Sequence, residues 1–579
     1  MLRWLYSVVR GTRCDLSNVL LFIKLRIIDL KQSRERPMKP IIEIARQIGL
    51  DEDDLELYGK YKAKISFSAM ERVQDRPAGK LILVTAMNPT PAGEGKTLTS
   101  IGLSQAMNQI GKKTIAALRE PSLGPCMGLK GGATGSGGAQ IVPADEINMH
   151  FTGDLHAISS AHNLLAAMVD NHIFHGNELG INPEKVVWKR AVDMNDRAMR
   201  HTVIGLQNSG VVREDGHLIT VASEIMAIFC LSENIADLRE RLGRMIVAYS
   251  YDGNPITAKD LRADGAMTAL LKDALQPNLV QTCENTPVLV HGGPFANIAH
   301  GCSSLMATKL GLKLADYVVT EAGFGADLGA EKFVHIKCRT SGLKPNAAVL
   351  VVTAKSMKYN GGVDKGQLTV TNATALLAGF ANVKKHVENM HGFGIPVVVA
   401  INRFATDTEE EIQMIQEQCR EIGIKAVVSQ VWAQGGEGGR ALAEEVVRLV
   451  EDSETQLRFL YELHDGISDK IETIVREVYG GAKVNYSARA KAAIRALEAS
   501  GLSDLPICMA KTPYSFSDQP KLLGRPAGFT LTVNDIRVSA GAGFVVVFTG
   551  NVMIMPGLPK HPLAEEIDVD AQGNILNLS

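Results

Sequence analysis

Short, unbroken apolar runs rich in β-branched residues recur along the chain at Leu81–Ala86, Thr114–Leu118, Met245–Tyr249, Val288–His291, Tyr317–Thr320, Val349–Thr353, Val397–Ile401 and Ala426–Ser429. Runs of this length and composition predict strands buried on both faces of a parallel sheet. Between them, Glu409–Ile422 and Leu442–Val450 repeat apolar positions at helical spacing opposite charged faces. The alternation predicts an α/β protein. Beyond about residue 500 the texture changes: Phe529–Val533, Phe544–Thr549 and Val552–Met555 read as closely spaced strands joined by Gly/Pro turns. A C-terminal unit with some antiparallel pairing is expected there.

A chain of 579 residues has room for two to four domains on a prior of about 150 residues each. We expect a nucleotide-binding domain over 38–355, a second α/β domain over 356–500 and a C-terminal α/β unit with β-hairpins over 501–579. The first 37 residues mix Arg3, Arg10, Arg13 and Arg26 with the apolar run Val19–Ile23 and precede Met38. They read as a doubtful extension, with translation beginning at Met38. Lys and Arg total 61 against 63 for Asp and Glu, a formal charge of −2, so no global field recommends nucleic acid or an anionic membrane. The 8 cysteines are scattered without a CxxC pair, which predicts free thiols and a cytoplasmic protein. No apolar run is long enough to predict a membrane span.

The strongest local signal is a strand, Leu81–Ala86, followed by Thr90-Pro91-Ala92-Gly93-Glu94-Gly95-Lys96-Thr97 and an amphipathic helix from Leu98. That order wraps backbone N–H groups around phosphates at a helix N-terminus. Lys96 would reach the β- and γ-phosphates and the Thr97 hydroxyl would meet Mg²⁺. Thr90 stands where the pattern calls for a first glycine, and the competing reading is a solvated turn that contains Gly-Lys-Thr. With this loop the expected architecture is a P-loop NTPase-like, mostly parallel, doubly wound sheet with additional smaller α/β domains.

Arg119 and Glu120 close the second strand, where neighbouring carboxyl ends converge on one crevice. Arg119 can grip a carboxylate or a phosphoryl group in transfer; alternatively, both residues pair with structural neighbours. Residues 124–138 hold seven glycines, from Gly124 to Gly138, which suit a ligand cradle or a flexible lid, with Lys130 as an anion contact. His150, Asp154 and His156 cluster nearby and read as a hydrogen-bonded structural group rather than a metal or acid/base site.

Taken together, NPTPAGEGKT (Asn88–Thr97), ALREPSLGP (Ala117–Pro125), GLKGGA (Gly128–Ala133), HFTGDLHAI (His150–Ile158), DNHIFHGNELGI (Asp170–Ile181), VDMNDR (Val192–Arg197), TEAGFGADLGAEKF (Thr320–Phe333), INRFATDT (Ile401–Thr408) and VWAQGGEGG (Val431–Gly439) resemble the formate–tetrahydrofolate ligases, in family order from Met38 to the C-terminus. The chain is similar to the monofunctional bacterial form. Two departures are Thr134–Ala139, where many relatives read AGGGYS, and Lys355, where the common pattern has arginine.

The resemblance implies ATP-dependent joining of formate to tetrahydrofolate through formyl phosphate, in one-carbon metabolism. It implies Lys96 and Arg119 as catalytic residues and Thr90, Pro91, Ala92, Gly93, Glu94, Gly95, Lys96, Thr97 and Asn402 around ATP. Phe324, Phe404 and Trp432 would stack on the planar pterin. Mg²⁺ would reach Thr97 through ATP. A monovalent cation, K⁺ or NH₄⁺, has Glu120 as its candidate contact. A homotetramer and a polyglutamylated folate are further expectations by family, with no nucleic-acid or membrane partner. The competing functions are another phosphate-loop, ATP-dependent carboxylate-activating ligase and a non-catalytic nucleotide-binding scaffold. The scaffold reading predicts damage at Lys96, Thr97 or Arg119, and all three are intact.

Overall fold

The computed structural model describes residues 37–91, 93–128, 132–550 and 552–578. The reading of an extension ahead of Met38 rests on residues that, but for Pro37, lie outside that set; so do the assignments to Ala92 and Lys130.

The central sheet is built, among the described residues, from β1 (Leu55–Leu57), β2 (Ala63–Ile65), β3 (Lys80–Ala86), β4 (Thr114–Leu118), β5 (Gly135–Ser136), β6 (Ala139–Val142), β7 (Asn278–Thr282), β8 (Pro287–Val290), β9 (Tyr317–Glu321), β10 (Ala347–Val352), β11 (Val397–Asn402) and β12 (Ala426–Ser429). Its order is β1-β2-β7-β8-β4-β9-β3-β10-β11-β12, with β6 beside β7 and β5 beside β6. From β8 to β12 every pairing is parallel, and from β8 back to β1 the pairings are antiparallel. The fold is therefore α/β around a large, mostly parallel sheet.

Period-two side chains explain why these strands are apolar throughout. Leu81 and Leu83 of β3 face one core, lined by Leu376, Phe380 and Val383 of the helix Ala373–Gly392. Ile82, Val84 and Ala86 face the other, against Leu103, Ala106 and Met107 of the helix Lys96–Gln109. A strand covered on both faces gains nothing from polar alternation. The helix after the glycine loop departs from the sequence expectation for the same reason. It starts at Lys96 rather than Leu98, and Thr99 through Met107 are all buried, so it is not amphipathic. It sits between the sheet and the 431–447 segment, and a helix covered all round needs no polar face.

Two expected strands differ. Ile246–Tyr249 is a strand, but it pairs antiparallel with Pro255–Thr257, outside the central sheet. Val247 and Ala248 pack in a second apolar body built mainly from residues 155–275. Val552–Met555 forms no strand; its pairing is reduced to Ile219 N donating to Ile554 O at 3.0 Å. Some antiparallel pairing is present near the C-terminus, where Phe544–Phe548 runs antiparallel to Asp535–Ser539 and parallel to Ile507–Ala510, whereas Thr530–Val533 runs parallel to Lys483–Tyr486. The small sheet around Phe544–Phe548 joins the two bodies. Ile507, Met509, Val545 and Val547 pack toward the central sheet, while Cys508, Ala510, Phe544 and Val546 pack toward the second body.

Candidate active site at the carboxyl ends of the sheet

In chain order the sheet grows from β3 toward β4 on one side and toward β10 on the other, so the carboxyl end of β3 lies where the winding reverses. Open α/β sheets bind ligands at that point. Glu94 explains how the loop after β3 keeps its shape without the first glycine. Its buried carboxylate accepts from the Thr90 N–H at 2.7 Å and the Thr90 hydroxyl at 3.2 Å, and from the Thr353 hydroxyl beyond β10 at 2.7 Å. Thr90 thus supplies a hydroxyl tether that glycine could not.

The Asn402 amide, at the end of β11, donates to Glu94 O at 3.0 Å. Asn402 is buried beneath the loop and props it. Gly95 takes φ +78°, and a Cβ there would come within 2.5 Å of Asn402 Nδ2, so both conformation and space require glycine.

Glu321, at the end of β9, gathers the chemistry-bearing groups. Its Oε2 accepts from the Thr97 hydroxyl at 2.7 Å, and its Oε1 accepts from Arg119 Nη2 at 3.1 Å and Nε at 3.3 Å. The carboxylate is nearly inaccessible, whereas Arg119 keeps 27% of its side chain exposed. Burial alone would push the Glu321 pKa up; Arg119, the Thr97 hydroxyl and the Lys96 ammonium outweigh it and hold the group below the ordinary carboxylate range. Lys96, Thr97 and Arg119 are therefore brought together around one anionic pivot. Glu321 lay inside the quoted Thr320–Phe333 motif without an assigned role; its signal was an acid closing a continuously apolar strand.

Glu120 points the other way. It is buried, its Oε2 has no hydrogen-bond partner among the described residues, and burial together with Asp154 drives its pKa well above the ordinary value. Asp154 forms a buried ion pair with Lys64 at 2.8 Å and accepts from Asn278 Nδ2 at 2.7 Å. Asp154 is thus a paired structural group, and among the described residues no His/Cys/Asp/Glu cluster able to hold a metal is present.

The three aromatic residues all lie beyond carboxyl ends. Phe324 follows β9 and is half-buried with φ +62°. Phe404 follows β11, half-buried, with Lys355 Nζ 4.1 Å from its ring centroid. Lys355 so keeps a cation over the ring where an arginine was expected. Trp432 follows β12, is 39% exposed, and its carbonyl accepts from Gly138 N at 2.8 Å, which ties it to the glycine-rich stretch. Arg403 pairs with Glu409 at 2.6 Å and Asp407 accepts from Phe404 N at 2.8 Å, so both are spent on local structure.

A large, mostly parallel sheet with a glycine loop and two cations at its winding reversal defines an α/β protein with a candidate anion site at the carboxyl ends of its strands. The particular family follows from comparison: the family described as formate–tetrahydrofolate ligase matches residues 27–579, and the chain belongs to it. It is an ATP-dependent formate–tetrahydrofolate ligase of one-carbon metabolism, with formate, tetrahydrofolate and ATP as its substrates.

Proposed function

We propose that ligation runs through formyl phosphate in the crevice between Lys96, Thr97, Arg119 and Glu321. The observation that carries this reading is the pair of cations around the buried Glu321 carboxylate. Formate and the γ-phosphate are both anions, and their approach needs positive charge in place before reaction. A formate oxygen attacks the γ-phosphorus, the bond to the bridging oxygen breaks, and ADP departs. Lys96 would lie along the β- and γ-phosphates, the Thr97 hydroxyl would be the residue that meets Mg²⁺ brought with ATP, which would offset phosphate charge, and Arg119 would stabilise the formyl phosphate. The N10 amine of the folate then attacks the formyl carbon, the carbon–oxygen bond to phosphate breaks, and the N10 proton is lost. Phe324, Phe404 and Trp432 form the pterin surface, and Asn402 and Glu94 support the loop from below.

Glu120 suits a monovalent cation: an oxygen donor without a partner, beside Asp154 and only one compensating lysine, fits a hard cation of single charge. K⁺ or NH₄⁺ held there would offset negative charge behind Arg119. No helix among the described residues is long and apolar enough to cross a membrane. A cytoplasmic location, a homotetramer and a polyglutamylated folate complete the reading by family. The test is a stoichiometry assay with ATP, Mg²⁺, formate and tetrahydrofolate, with and without K⁺. One ADP per 10-formyltetrahydrofolate and K⁺ activation lost in Glu120→Gln are expected. Folate-dependent ADP release without formylated product would contradict the reading.

A further inference from the structure

The residue just ahead of the phosphate loop is held more firmly than a loop terminus requires. Asn88 Nδ2 donates to Asp327 Oδ1 at 3.1 Å and to Pro513 O at 3.1 Å, and Asn88 Oδ1 accepts from Asn382 Nδ2 at 2.8 Å. The other oxygen of Asp327 binds Lys511 Nζ at 2.7 Å, and both side chains are fully buried. Lys511 belongs to the segment that leaves the C-terminal sheet after Ile507–Ala510. Three separated stretches of chain thus meet at one carboxylate.

Asp327 lies three residues past Phe324, whose φ of +62° is a conformation that a bulky side chain adopts only under constraint. Gly325, between them, packs so closely that a Cβ would come within 2.6 Å of Asp327 Oδ1 and 3.4 Å of Asn88 Nδ2. Leu328 N and Gly329 N donate back to Gly325 O at 3.1 and 2.8 Å, closing the turn. The strained Phe324 and the residue just ahead of the phosphate loop are therefore braced by the same buried group. Neither Asn88 nor Asp327 touches the crevice residues Lys96, Thr97 or Arg119 through any of these bonds.

We propose that Asn88 and Asp327 are positioning residues that couple the two substrate loops, so that filling the phosphate loop firms the Phe324 loop for folate and the reverse. The inference rests on the placement of ATP and folate proposed above. Coupling of this kind is reciprocal, and typical values change affinity by about five-fold or more. Lys511 anchors the strut to the C-terminal unit and gives that unit a part in substrate binding.

Two measurements test it. Hydrogen exchange on the wild-type protein with a non-hydrolysable ATP analogue alone should slow amides in 322–330, and tetrahydrofolate alone should slow those in 87–95. Calorimetry should show each ligand tightening the other about five-fold or more. In Asn88→Ala the ratio should fall to near one, while Asn382→Ala, which removes comparable buried bonds but leaves the Asn88–Asp327 contact, should keep it. A purely structural role would lower stability in both and shift the ratio in neither. Unchanged exchange at both loops, no mutual tightening in the wild type, or equal ratios in the two variants would overturn the coupling. Should Asn88→Ala not fold, the wild-type exchange and calorimetry decide alone. Phe324→Ala separates the two ideas: if it leaves folate affinity unchanged, the folate placement fails rather than the strut.

Discussion

Single residues at this crevice have distinct tasks, and the tasks predict distinct losses. With Lys96 and Arg119 in the roles proposed above, meeting the charge of the transferring phosphoryl group, Lys96→Ala and Arg119→Ala should each lower kcat by about 100-fold or more while circular dichroism stays native. Wild-type turnover in either variant would remove its assigned role. Glu94 acts on the loop alone. Glu94→Ala strips the partner from the buried Thr90 N–H, which costs about 1–3 kcal/mol, and removes one of the two acceptors of the Thr353 hydroxyl, leaving Ser356 Oγ. Its signature should be a raised KM for ATP with a smaller change for formate, read by steady-state kinetics. Legibility at this scale was uneven. That Lys96, Thr97 and Arg119 would share one crevice could be read because each sits in a short motif at a strand's carboxyl end. Glu321, Asp327 and the Lys64–Asp154 pair could not, because each partner lies far away in sequence and only the fold sets their distance.

At the scale of elements, buried parallel strands were legible because burial on both faces writes itself as unbroken apolar sequence, as in β3 and β10. That pattern does not say which sheet a strand joins, and Ile246–Tyr249 joined a local pair. Nor could spacing show that the helix Lys96–Gln109 is covered on all sides. The helix Glu224–Leu231 carries a testable titration. Glu224 accepts from Gly541 N at 2.8 Å and Ala542 N at 3.3 Å, and burial pushes its pKa up to about 7 despite those bonds. A carboxyl with a raised folded pKa contributes stability that is fully present below its unfolded value, near 4.5, and is lost as pH rises through about 7. Denaturant melts should therefore lose on the order of 2 kcal/mol between those limits, an amount reduced for partial solvent access, and Glu224→Gln should flatten that slope. A slope unchanged in the variant would place the titration elsewhere.

For the whole molecule, the C-terminal sheet has one face in each apolar body. The two bodies should therefore unfold together. Phe544→Ala, on one face, and Val547→Ala, on the other, should both lower one shared calorimetric transition, the first by about 3–5 kcal/mol. Two separate transitions, each sensitive to one variant, would show that the sheet does not join them. The same arrangement carries Lys511 to Asp327 and so sets the C-terminal unit against the site.

Activation of formate as an acyl phosphate among Lys96, Arg119 and Glu321, as proposed above, leaves a mark in the phosphate released. The most direct measurement supplies formate labelled with ¹⁸O at both oxygens, together with ATP, Mg²⁺ and tetrahydrofolate, and follows the label into inorganic phosphate. Because a formate oxygen becomes the bridging oxygen and stays with phosphorus when the amine attacks, the account predicts one ¹⁸O per phosphate released, with both the labelled phosphate and the formylated folate falling in parallel in Arg119→Ala. Unlabelled phosphate formed alongside a normal yield of 10-formyltetrahydrofolate would contradict it.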